Sequence, residues 1–207
     1  RSARMLCARS FDSGSRAIYN EGTHPRLTGA WHSMIPESVQ TYWHNFLAEL
    51  PQDSPYHGAA FIYEGWDDGT PAMADELGGL IAAGVKTATC SALWEWQAEG
   101  GALPAAGLIT IVLDGRGQPL CIVETCEVRQ CRYDEVDAAF AYDEGEGDRS
   151  LAYWRAAHQR FFSRTLPKIG RAFAEDMPLV CERFRLIYRQ GPAGAHYLDP
   201  VQQPAAD

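Results

Sequence analysis

Leu108-Ile109-Thr110-Ile111-Val112-Leu113 is followed by Asp114-Gly115-Arg116-Gly117 and then by Leu120-Cys121-Ile122-Val123-Glu124-Thr125-Cys126-Glu127-Val128. Two β-branched runs flank a short stretch of glycine and charge, which is the pattern of a β-hairpin. The remaining strand patterns are few, and short helical patterns fall between them in no strict alternation. That mixture points to the α+β class. Strands of hairpin type favour a small closed or half-closed barrel of mixed strands, flanked by helices, over a doubly wound sheet.

Upstream of the hairpin, Val39, Tyr42, Trp43, Phe46, Leu47 and Leu50 fall at i, i+3, i+4, i+7, i+8 and i+11, one face of a helix that Pro51 ends. Residues 51–69 read as a connector containing an apolar patch, Ala59-Ala60-Phe61-Ile62-Tyr63. Thr70-Pro71 opens a second helix, with threonine as N-cap and proline in the first turn. Met73, Leu77, Leu80 and Ile81 share its face, and Gly84 closes it. Val85 to Ser91 reads as extended, and Leu93 to Gln97 as a short helix closed by Gly100-Gly101.

Downstream, Asp134-Glu135-Val136 is expected to cap a short helix through Phe140. The acidic loop Asp143-Glu144-Gly145-Glu146-Gly147-Asp148-Arg149-Ser150 leads into a helix with Leu151, Trp154, His158, Phe161 and Phe162 on one side. The last strand runs from Leu179 to Arg189, where apolar side chains alternate with Arg183, Arg185 and Arg189. Residues 1–33, rich in arginine and serine, read as a disordered leader or an over-extended start, with a transit-like peptide as the other reading. Residues 34–190 form the domain, and 191–207 a loose tail.

The net charge of −9 argues against a general polyanion binder but not against a small basic pocket. No apolar run reaches the roughly 18 residues of a membrane span, so no membrane partner is expected. Six cysteines in 207 residues is not a disulfide-scaffold density, and reduced thiols in a cytoplasmic protein are expected. Cys121, Cys126 and Cys131 are spaced by five, so on a strand they alternate faces and do not converge on a metal.

Gly84-Val85-Lys86-Thr87-Ala88-Thr89-Cys90-Ser91 puts one cation and three hydroxyls just after a helix end, which suits an anionic or polar ligand. Lys86 is either a solvated lysine or a ligand anchor, and a base if its pKa is depressed. Thr89 is an ordinary strand former or a hydroxyl beside an activating amine. Glu146 has no capping role in view and suits a general base, whereas Asp148 reads as the N-cap of the following helix. Trp154 and His158 lie on the apolar stripe and read first as core, with base stacking the other role for Trp154; Arg155 suits a phosphate.

In this order, Gly84-x-Lys86-Thr87-x-Thr89, Ile122-Val123-Glu124-Thr125, the acidic loop with Trp154-Arg155 and His158, and Leu179-Val180-Cys181-Glu182-Arg183-Phe184 resemble the ASCH-domain family of PUA-like β-barrels. The resemblance spans about residues 40 to 190. It implies a cleft facing RNA or a modified nucleoside. Some members resemble single-strand ribonucleases helped by a divalent metal; a shorter branch hydrolyses the acetyl amide of N4-acetylcytidine. By that likeness Lys86, Thr89 and Glu146 are the catalytic candidates, although the local spacing around Glu146 differs. Ser91, Glu124, Asp148, Trp154 and Arg155 are the ligand-binding candidates. No cofactor is required by these residues, and a divalent metal enters only with the ribonuclease chemistry. A non-catalytic RNA- or small-ligand-binding module is the alternative. The oligomeric state is not legible.

Overall fold

The computed structural model describes residues 35–191 and 194–197. Helix α1 (Glu37–Ala48) buries Val39, Tyr42, Trp43 and Phe46, four positions of the expected apolar face. Strand β1 (Phe61–Gly65) and helix α2 (Pro71–Ala82) follow. Thr70 caps α2, its hydroxyl accepting from the Met73 amide at 3.4 Å. Strand β2 (Ala88–Ala92) runs into α3 (Leu93–Glu99), which Gly100 ends in the left-handed conformation. The hairpin is β3 (Ile109–Leu113) with β4 (Pro119–Arg132). Then come α4 (Ala138–Asp143), α5 (Leu151–Thr165), β5 (Pro178–Gly191) and β6 (Gly194–Tyr197).

The mixed sheet has the order β1-β3-β4-β5-β2, with β6 also paired to β5. It curls as a half-barrel flanked by helices. The ladder between β4 and β5 is interrupted beside Cys126, between Thr125 and Glu127. An interruption of that kind bends a strand and raises its twist, which is what a curling sheet needs. Helix α1 covers one face through Phe61, Tyr63, Ile109, Ile111, Ile122 and Tyr188. Ile81 of α2 covers the other through Val112, Cys121, Val123, Phe184 and Leu186. Burying a side chain such as Phe46 contributes about 1.5–3 kcal/mol. A further core, beneath α4 and α5, packs Phe140, Trp154 and Phe162 on Ala88, Leu179 and Cys181.

Three expectations are corrected. The apolar patch at 59–63 is not merely a connector, because Phe61–Gly65 is an edge strand parallel to β3. Its first four residues are all buried, so it lacks the alternation that marks a half-buried strand. The cap of α4 is Asp137, which accepts from the Phe140 amide at 2.8 Å, while Asp134 and Glu135 sit in a separate 3₁₀ turn. The tail expected from residue 191 contains β6, in antiparallel register with β5. The proposed leader at 1–33 lies outside the described residues. Among the described residues the five cysteines are free, and no helix is long and apolar enough to cross a membrane.

Candidate functional site

The site begins where α2 ends. Gly84, with φ at +72°, turns the chain so that the amides of Val85 and Lys86 both donate to the Leu80 carbonyl, at 2.9 and 3.1 Å. The Thr87 amide then donates to the Asp143 carbonyl at 2.8 Å, and the Thr87 carbonyl accepts from the Phe184 amide at 2.9 Å. These bonds lock the segment between β5 and the end of α4 and turn the Lys86 side chain inward.

The acidic loop meets it from the other side. Gly145 has φ at +74°, and a Cβ there would stand 2.7 Å from the Val85 carbonyl oxygen. Gly147 has φ at +57°, and a Cβ there would overlap the Tyr153 ring at 2.3 Å. The alternating glycines are therefore required by close approach, and they direct Glu144 and Glu146 toward the lysine. Arg183 anchors the loop on β5 through an ion pair with Asp143.

Lys86 Nζ lies 2.7 Å from Glu144 Oε2 and 2.8 Å from Glu146 Oε1. Lys86 and Glu144 are each 1% exposed, whereas Glu146 is 22% exposed. Burial pulls the lysine pKa down, but the Glu144 charge and then that of Glu146 outweigh it and hold the ammonium above its ordinary range. Burial likewise pushes the Glu144 carboxyl up; the Lys86 charge overcomes this and leaves it below its ordinary value. Glu144 Oε1 also accepts from the Trp154 indole N–H at 3.0 Å and faces His158 Nε2 at 3.6 Å. The His158 ring stacks on Trp154, with centroids 4.2 Å apart. Cys90 adjoins the same carboxylate, and burial, more than the Glu144 charge, raises its thiol pKa.

Lys86, Thr89, Ser91, Glu144 and Glu146 line one cavity of about 270 Å³, which also includes Cys90, His158 and Tyr153. Six carboxylates face it, from Glu64, Asp67, Glu76, Glu95, Glu144 and Glu146, against the cations of Lys86, Arg160 and Arg164. Of those cations, Arg164 is already paired with Asp68 at 2.5 Å. A cavity with this bias repels phosphate and accepts an uncharged polar group. Tyr153, 37% exposed, supplies an aromatic surface.

The structure thus gathers Lys86, Thr89, Glu146 and Ser91, the last accepting from the Trp96 indole at 2.9 Å. It does not bring the other candidates to the cavity. Trp154 is buried with its N–H used by Glu144, so it presents no stacking face. Glu124 sits elsewhere on β4, accepting from the Tyr56 hydroxyl and Arg185 at 2.7 Å each. Arg155 is exposed, its guanidinium 3.5 Å from the Asp134 carbonyl. Asp148 is exposed and does not cap α5; it accepts from the Ser150 amide, and Ser150 is the cap. Lys86 is held as an ammonium and is not poised as a base. Glu144, Cys90, His158 and Tyr153 are among the lining residues to which the sequence assigns no ligand role; only the crowding of Glu144 beside Glu146 offers a signal.

A half-barrel with an acidic cleft of about 270 Å³, floored by a lysine–glutamate cluster, is the class of protein these features define. The chain belongs to the ASCH domain family, whose model matches residues 64–188. It is similar to the ASCH domain of Lactobacillus crispatus JV V101, at 31% identity and a TM-score of 0.69 over 76% of this chain and 98% of that one. It is also similar to a protein of Enterococcus faecalis V583, at 38% identity and a TM-score of 0.62 over 72% of this chain and 88% of that one. No curated protein matches the chain.

Proposed function

We propose that the cleft takes the base of a modified nucleoside, free or within RNA, and hydrolyses an exocyclic acyl amide of the N4-acetylcytidine type. The family is generally of RNA-binding type, which supports a nucleoside partner. The observation that carries the reading is the Lys86 ammonium, 2.8 Å from Glu146 and on the wall of the cavity that Thr89 also lines. The acidic lining suits the uncharged base and leaves any ribose phosphate outside.

In this chemistry the Thr89 hydroxyl adds to the amide carbonyl carbon and its proton passes to Glu146. Lys86 has three N–H donors; two go to Glu144 and Glu146 side chains, and the third makes only a 3.3 Å contact to the Glu144 carbonyl. That third donor is available to the developing oxyanion. As the carbon–nitrogen bond breaks, Glu146 returns the proton to the departing amine. Water then cleaves the threonyl ester, releasing the carboxylic acid. A lysine kept as ammonium fits the oxyanion role and not the base role.

The test is acetate release from N4-acetylcytidine and from acetylated RNA. Thr89→Val and Glu146→Gln should each lower kcat by about 10²-fold or more, the scale of a lost nucleophile or general base. These variants are preferred to Lys86→Ala, which removes a buried charge. Absence of turnover by the native chain, or full turnover in both variants, overturns the reading. The paired resting state of Lys86 also suits a module that only holds its ligand; binding of cytidine or RNA without product is the result that favours it.

A further inference from the structure

His158 Nδ1 lies 3.0 Å from the Trp154 carbonyl oxygen. A carbonyl only accepts, so Nδ1 carries the proton of that hydrogen bond. In the neutral ring Nε2 then presents a lone pair, and it faces Glu144 Oε1 across 3.6 Å. Two acceptors facing each other are held by a positive centre between them, either a proton on Nε2 or a bound cation. The Cys90 thiol completes the group: one ligand atom each from Cys90, Glu144 and His158 lie within 4.8 Å of one another.

We propose that Cys90 Sγ, Glu144 Oε1 and His158 Nε2 form a site for one transition-metal ion of the zinc class, with a fourth position open to the cleft. Nitrogen and oxygen ligands about 2.1 Å from a tetrahedral zinc stand about 3.4 Å apart, so the observed 3.6 Å needs little closing. One sulfur, one imidazole and one carboxylate suit zinc and its neighbours better than magnesium or calcium.

The surroundings match what such a site requires. The ring N–H opposite the ligating nitrogen is held by a backbone carbonyl, which fixes tautomer and orientation. Glu144 is oriented by Lys86 on one oxygen and by Trp154 on the other, with a lone pair of Oε1 left for the ion. Charge also balances. Lys86, Glu144 and Glu146 together carry −1; a divalent ion that displaces the Cys90 proton brings the cluster to zero. In that step the sulfur–hydrogen bond breaks, a sulfur–metal bond forms and one proton leaves to solvent. All three ligands line the cleft, so the fourth position is accessible to water or to a ligand atom.

This inference does not rest on amide hydrolysis, and its test reads the metal and not turnover. The full chain carrying Cys7→Ser and Cys126→Ser, which removes an exposed thiol and one outside the described residues, is titrated with Co²⁺ and then Zn²⁺. The expected result is one ion per chain, tetrahedral visible bands, a near-ultraviolet thiolate-to-cobalt band that Zn²⁺ abolishes, and one proton released. Cys90→Ser should lose the thiolate band, and His158→Gln should weaken affinity at least about tenfold. Both residues are only half-buried, and near-ultraviolet circular dichroism checks the fold of each variant. Failure of the native-fold protein to take up either ion, or a thiolate band unchanged in folded Cys90→Ser, overturns the proposal.

Discussion

Lys86 Nζ and Glu144 Oε2 lie 2.7 Å apart, although the two residues are 58 positions apart in the chain, and each side chain is 1% exposed. Removing one member leaves the other charged without compensation, a loss of about 3–5 kcal/mol. Lys86→Met should therefore destabilise by that order in urea unfolding. Lys86→Met combined with Glu144→Gln should recover most of the loss, since the one carboxylate then left without its cation, Glu146, is 22% exposed and reaches solvent. A double variant no more stable than the single one would contradict the pairing.

The pH dependence follows from the same two groups. Glu144 is held below its ordinary value of 4.5, so its contribution is complete above that pH and is lost as pH falls through the lowered value. Lys86 is held above its ordinary 10.5, so its contribution is complete below that pH and is lost only as pH rises beyond it. The stability difference between the native chain and the double variant should stay flat from about pH 5 to 10 and fall on the acid side. Denaturant midpoints across that range measure it.

Two glycines with nearly the same backbone should respond differently to alanine. Gly84 has φ at +72° and open space around its Cβ position, so Gly84→Ala should cost about 1–2 kcal/mol from conformation alone. Gly145 adds the clash with the Val85 carbonyl, so Gly145→Ala should cost about 3 kcal/mol and displace both glutamates. Thermal unfolding ranks the pair.

Trp154→Phe keeps most of the ring but deletes the indole N–H that reaches Glu144 at 3.0 Å. A hydrogen bond to a charged acceptor contributes about 1.5–3 kcal/mol, and destabilisation within that range is expected. Under the metal proposal the same variant also weakens Co²⁺ affinity, because the carboxylate loses one of its two orienting partners. Unfolding and titration of one preparation measure both.

The parts of the fold legible in sequence are those with local causes. The β-branched hairpin, the 3.6-residue stripe of α1 and the Thr70-Pro71 start of α2 are set by neighbours along the chain. Strand β1 is not legible because burial on both faces erases alternation, and because its partner β3 lies about 50 residues away. The site shows the same division. The crowding of Glu144 and Glu146 was visible, but its resolution by a lysine 58 residues earlier was not. Helical spacing put Trp154 and Arg155 side by side in sequence, yet one turns into the core and the other to solvent.

The strand order has a kinetic consequence. β3 and β4 are adjacent in the chain and can pair early, whereas β2 must dock on β5 across about 90 residues. Lys86 and Thr89 arrive with β2, and Glu144 and Glu146 with the loop between α4 and α5. A refolding chain with only its hairpin formed has neither the ion pair nor the cavity. Recovery of ligand or metal affinity should therefore lag behind recovery of strand signal, and the cleft is a reporter of completed topology.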